Sequence, residues 1–188
     1  MSVTATTTSE FTAAVESLRA VTTRREIMLE SLPAPARLAP NSFALSATVT
    51  VGDDEWGSGR LVLLHDPEGV EAWDGTLRIV VFATCILDGA MAGDPLLPEV
   101  AWSWLVDALQ DAPHTALGGT VTATRSTRFG DITGPENADD LEIRASWTPR
   151  DANLTHHLDA YLALLAAAAG LPPEGVSPLR VNDRSNDY

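Results

Sequence analysis

The stretch Asp94-Pro95-Leu96-Leu97-Pro98-Glu99-Val100-Ala101-Trp102-Ser103-Trp104-Leu105-Val106-Asp107-Ala108-Leu109 decides the fold, because it sets one helix between two groups of strands. Asp94 suits an N-cap, and Pro95 suits the first helical position, where its missing N–H would have no intrahelical partner. Leu97, Ala101, Trp104, Leu105 and Ala108 share one face at helical spacing. Leu96, Trp102, Val106 and Leu109 carry the apolar surface well round the cylinder. A helix this apolar needs cover on more than one side, either from its own sheet and helices or from a second chain. Trp102, Val106 and Leu109 are therefore candidate interface residues, and a homodimer built around the Trp102/Trp104 helix is the expected assembly.

Three strands precede this helix. Phe43, Leu45, Ala47, Val49 and Val51 alternate with Ser42, Ala44, Ser46, Thr48 and Thr50, a period of two, and Gly52-Asp53-Asp54-Glu55 makes the turn. A second strand runs from about Trp56 to His65 and closes at Asp66-Pro67-Glu68-Gly69. The third, Thr76 to Leu87, is apolar on both faces around Ile79 to Ala83 and should lie centrally, covered on both sides. Arg24 to Leu32 is ambiguous, a short edge strand being one reading, before Pro33, Pro35 and Pro40 force an extended connector.

Beyond the helix, Pro113 and Gly118-Gly119 break the chain before a fourth strand, Thr120 to Phe129. An acidic loop from Gly130 to Asp140, expected to be mobile, leads to a fifth strand. Its Leu141, Ile143, Ala145 and Trp147 share one face, with Glu142, Arg144, Ser146 and Thr148 on the other. A first helix capped by Ser9 and a last one from about Asn153 to Ala169, stopped by Gly170, complete the set. The expectation is one α+β domain over 9–170 with flexible termini at 1–8 and 171–188. It has a mainly antiparallel sheet of about five strands and three helices in the order α-β-β-β-α-β-β-α. That order resembles the type III secretion chaperones and the YbjN-like proteins. The resemblance implies a protein that dimerises through its middle helix and neighbouring strands and acts by binding other proteins.

The 188 residues, 45% hydrophobic, suffice for a real core. A formal net charge of −14 argues against sequence-independent nucleic-acid binding and against attachment to anionic lipid. All twelve basic residues are arginine, so Schiff-base and P-loop lysine chemistry are excluded. Cys85 is the sole cysteine and reads as a small buried hydrophobe. No secretory leader is seen at the start, and the longest nearly apolar run, Leu162 to Leu171, is far short of the ~20 residues that span a bilayer. A cytoplasmic, membrane-free protein is expected.

Reactive groups are sparse. His156 and His157 are neighbours about 100° apart on a helix and share one ion poorly, so no metal and no cofactor are expected. His65-Asp66 precedes Pro67 in a turn, without a Gly-x-Ser-x-Gly nucleophile elbow, and a hydrolase-type enzyme is the third reading. Gly57 and Gly59 read as hairpin residues serving the backbone. Ser42, Ser46, Thr48, Thr122, Thr124, Arg125, Arg144 and Ser146 could line one polar sheet surface. Of the five tryptophans, Trp104 and Trp147 are expected inside, with Trp56 and Trp73 beside hairpin turns. The leading expectation is a non-enzymatic, chaperone-like or adaptor domain that binds itself and other proteins. The alternative is a small-ligand binding domain, in which Arg60, Arg125 or Arg144 meets an anionic group in a crevice between sheet and helices.

Several blocks carry a more specific likeness: Arg37-Leu38-Ala39-Pro40, Ala44-Leu45-Ser46-Ala47, Gly59-Arg60-Leu61-Val62-Leu63-Leu64-His65-Asp66-Pro67 and Glu71-Ala72-Trp73-Asp74-Gly75-Thr76. The Asp94 to Leu109 helix, Glu142-Ile143-Arg144-Ala145-Ser146-Trp147-Thr148-Pro149 and Ala168-Ala169-Gly170-Leu171-Pro172-Pro173 continue it. Together they resemble an uncharacterised actinobacterial family, the domain of unknown function numbered three thousand. The resemblance covers most of residues 10 to 175 and implies no activity, cofactor or catalytic residue.

Overall fold

The computed structural model describes residues 3–87, 89–134 and 137–174. In chain order these form α1 (Val3–Arg19), β1 (Ile27–Leu32), β2 (Asn41–Val51), β3 (Asp54–Val70), a 3₁₀ turn at Glu71–Trp73, and β4 (Gly75–Ile86). The four-residue α2 (Gly89–Ala92), α3 (Leu97–Ala108), β5 (His114–Thr127), β6 (Asn137–Pro149) and α4 (Thr155–Ala168) follow. Among the described residues the strands make one antiparallel sheet of six in the order β1-β2-β3-β4-β6-β5. The fold is α+β, and the ambiguous segment before Pro33 is an edge strand.

The three long helices cover one face of this sheet. Phe43, Leu45, Ala47 and Val49 of β2 enter the core with Leu61 and Leu63 of β3, Leu77, Ile79, Val81, Ala83 and Cys85 of β4, and Leu141, Ile143, Ala145 and Trp147 of β6. Leu18 of α1, Ala101 and Leu105 of α3, and Leu158, Tyr161 and Leu165 of α4 pack onto them. A buried Leu contributes roughly 1.5–3 kcal/mol by leaving water, and this continuous layer is what holds the helices down. Helix α4 ends in a Schellman turn. Gly170 takes φ 68°, with Leu171 N–H donating to the Ala166 carbonyl and Gly170 N–H to that of Ala167.

Several boundaries depart from expectation for local reasons. Helix α1 begins at Val3, not after Ser9. Residues 175–188 of the expected C-terminal tail lie outside the described residues, as do 135–136 of the expected acidic loop. The Asp94 carboxylate accepts from Leu96 N–H at 2.9 Å and so caps a turn ahead of α3; the helix starts at Leu97, with Pro98 in its first turn. Gly118-Gly119 does not break the chain. Strand β5 starts at His114 and absorbs a bulge between Thr115 and Gly118, with Ala116 at φ 50°.

Gly57 and Gly59 stand inside β3 and not in a hairpin loop. A Cβ at Gly59 would overlap the Phe82 carbonyl and the Tyr161 hydroxyl; the bare position lets Tyr161 of α4 reach down and donate to that carbonyl at 3.0 Å. The β2–β3 loop is tighter than the four residues expected: Val51 pairs with Asp54, and Gly52 at φ 66° supplies the left-handed residue of a two-residue hairpin.

The largest correction concerns β4. It is central, but the described residues cover only one of its faces. Val80 is 38% and Ile86 63% exposed on the other side, and Phe82 is half-buried there. All three long helices lie opposite, so among the described residues the outward apolar side chains have only their strand neighbours for company.

Candidate functional site

Register across the uncovered face sets the row Glu30–Ser46–Arg60–Phe82–Arg144–Thr120 from edge to edge. Paired residues in an antiparallel sheet point to the same side, so Phe82 stands between Arg60 and Arg144. The Arg144 guanidinium lies 5.5 Å from the Phe82 ring centroid while its Nε donates to Glu142 at 2.7 Å. One row away run Leu32, Ala44, Val62, Val80, Ser146 and Gly118. The result is an apolar strip flanked by guanidinium groups and hydroxyls.

A third arginine on this face is committed to structure. Arg78 donates to Ser146 Oγ at 2.7 Å, Thr148 Oγ1 at 3.1 Å and the Ala116 carbonyl at 3.0 Å, bolting the β5 bulge to β4 and β6. Burial lowers its pKa from the ordinary arginine value. Thr148 in turn donates to the Trp73 carbonyl.

The expected arginine-lined crevice is not where these arginines are. Arg60 and Arg144 point away from the helices, bordering two shallow depressions of about 380 and 610 Å³ on either side of Phe82. Arg125 sits at the other parity, toward one end of the edge strand β5, and donates to Asp139 at 2.7 Å; that carboxylate raises its pKa. Ser42, Ser46, Thr48, Thr122, Thr124, Arg144 and Ser146 do share the uncovered face, although β3 and β4 separate β2 from β6 and β5. The row through Phe82 could not be read from sequence, because it joins residues from six separate strands.

The candidates on α3 divide. Leu109 is 1% exposed and belongs to the chain's own core, so it is withdrawn as an interface residue. Trp102 is half-buried and overhangs Gly119 of β5, where the missing side chain makes room for the indole. Val106, one turn further along the same side of α3, is 40% exposed. Trp104 is half-buried where it was expected inside, whereas Trp147 is fully enclosed.

His65 has more partners than its sequence neighbours suggest. It is fully buried under α1, with Nε2–H donating to Glu10 at 3.2 Å and Nδ1 accepting from the Asn41 amide at 3.1 Å. Thr76 Oγ1 also donates to Glu10, at 3.1 Å, and Phe11 stacks on the imidazole. A base needs a free nitrogen facing its nucleophile, and both ring nitrogens here are engaged while the hydroxyl addresses the carboxylate. The cluster works as a latch between α1 and the sheet. Asp66, its sequence neighbour, instead accepts from Glu68 N–H at the turn.

The remaining polar groups are similarly committed. Burial pushes the Cys85 thiol up to about 12, which leaves it inert at neutral pH. His157 is buried and accepts from Trp147 Nε1–H at 3.0 Å, while His156 is exposed. A groove of about 460 Å³ between residues 22–27 and the end of α4 contains Arg24, already held by Glu26 and the Pro172 carbonyl. No cluster of three or more His, Cys, Asp or Glu able to hold a metal occurs among the described residues, and no helix among them is long and apolar enough to cross a membrane. No curated protein and no solved structure matches the chain. The family model described as Protein of unknown function (DUF3000) does match, over residues 7–177, and the chain therefore belongs to that family.

Proposed function

We propose that the chain is a non-enzymatic protein-binding domain that receives an acidic, apolar-bearing partner protein on the uncovered face of its sheet. The observation that carries this reading is the outward apolar side of the central strand, where no helix among the described residues covers Val80, Phe82 and Ile86. Size supports it: six strands spaced about 4.8 Å apart and four residue rows give roughly 700–800 Å², about what one partner buries in a standard interface. Charge supports an acidic partner. Around Val80 and Phe82 the central strands present Arg60, Arg78 and Arg144 against Glu142, with Asp140 and Glu55 toward the Ile86 end, in a chain whose net charge is −14. An intracellular setting fits a chain whose one cysteine is a buried free thiol.

A photoreactive side chain in place of Val80, irradiated in cells, tests the reading, with Asp159 on the exposed side of α4 as the control position. The expected result is an adduct to an acidic protein segment at position 80 that is absent at 159 and lost in the R60E/R144E background. No protein adduct above the control, or one indifferent to the two arginines, would overturn it. The second reading, a small anionic ligand held by Arg60 or Arg144 beside Phe82, rests on the two depressions there. An adduct of metabolite mass would favour it.

A further inference from the structure

The sheet has two edges, and they are built differently. Strand β1 is short, Ile27–Leu32; Arg24, Arg25 and Glu26 precede it, Glu30 sits within it and Pro33 follows. Charge, brevity and proline are the usual devices that stop an edge from pairing with another chain. Strand β5 has few of them. After its bulge it runs straight through ten consecutive residues, Gly118–Thr127, and among the described residues it is paired to β6 on one side only. That run, Gly-Gly-Thr-Val-Thr-Ala-Thr-Arg-Ser-Thr, contains no proline and no acid. Its one cation, Arg125, leans back onto Asp139 of β6. From Thr122 to Thr127 every residue is exposed.

The same run is self-complementary. An antiparallel pairing with a second copy, centred on Thr122, sets Thr120 opposite Thr124 and Val121 opposite Ala123, each twice about the two-fold axis. Thr–Thr pairs, a favourable cross-strand combination, then line the uncovered side, and small Val–Ala pairs the helical side. No two like charges face each other. Arg125 of one copy comes opposite Gly119 of the other, the position that Trp102 overhangs; guanidinium beside indole is itself attractive. Helix α3 packs against β5, with Trp102 over Gly119.

We propose that β5 pairs with β5 of a second copy about Thr122, joining two six-stranded sheets into one twelve-stranded sheet. The surface is the edge of the sheet, separate from the face assigned to an acidic partner. Sedimentation velocity across a micromolar concentration series should show a dimer for the unaltered chain. T122K sets two ammonium groups opposite each other on the axis and should weaken the dimer at least tenfold, as should T120K/T124K. T120E/T124K sets Glu opposite Lys twice and should retain it. All three sites are exposed, and unchanged circular dichroism and melting would confirm that each variant is folded. A monomeric unaltered chain, a dimer indifferent to T122K, or equal behaviour of the two double variants would each overturn the proposal.

Discussion

His157 shows how one buried side chain makes stability depend on pH. It accepts from Trp147 Nε1–H through Nδ1, so that nitrogen carries no proton in the folded chain. Burial above all, followed by the charge of His114, lowers its pKa from 6.5 to about 4, with Asp151 pulling the other way. The unfolded chain takes up a proton below about 6.5 and the folded chain only below about 4. Stability from this residue is therefore complete above pH 6.5 and is lost as pH falls toward 4, by about 3 kcal/mol. In His157→Gln the amide oxygen can accept the same indole N–H without titrating. Urea unfolding from pH 7.5 to 4 should show a shallower loss for the variant; parallel curves would show that His157 does not carry this dependence. The sequence announced that two adjacent histidines on a helix diverge. It held no sign that one would meet a tryptophan on a strand ten residues earlier.

At the scale of elements, α1 is fastened by chemistry as well as by packing. Ala14 and Leu18 enter the core, Glu10 reaches His65 and Thr76, and Ser17 Oγ accepts from Leu154 N–H at the start of α4. Glu10→Ala leaves the buried His65 Nε2–H without its acceptor, a loss of roughly 1–3 kcal/mol. Hydrogen exchange should then quicken about tenfold or more in α1 while the amides of β3 and β4 keep their protection. Equal acceleration throughout would mean that the cluster supports the whole fold and not this helix. The latch was invisible beforehand because its members come from one helix and three strands. Strand pattern is far more legible: the alternation in β2 and β6 identifies the core face at every position but Val51, which lies past the bulge after Val49 and is half-buried. The apolar run of β4 was misread because two-sided hydrophobicity locates a strand at the centre of a sheet without saying whether both sides are covered.

For the whole molecule, a net charge of −14 opposes any meeting of two copies. Strand β5 offers a contact with one charge in ten residues, Arg125, already paired with Asp139. Salt should therefore act in opposite directions on the two proposed surfaces. Raising sodium chloride from about 0.05 to about 0.5 M shortens the Debye length severalfold, which should tighten the β5 dimer and weaken an acidic partner held by Arg60 and Arg144. Sedimentation at both salt concentrations reads the first effect. A dimer that weakens with salt would require opposite charges across its interface, which the pairing about Thr122 does not contain.

The amino-acid order alone determined the order of the long elements, the antiparallel α+β class, the inward face of β2 and β6, and the stop at Gly170. These depend on side-chain periodicity and on backbone preferences that act within a few residues. Only the tertiary structure decided that the helices share one side, that Leu109 is interior while Val80 and Ile86 are not, and that Phe82 falls between two arginines. Those outcomes turn on which strands become neighbours and which face the helices reach, and both are settled by packing between segments far apart in the chain.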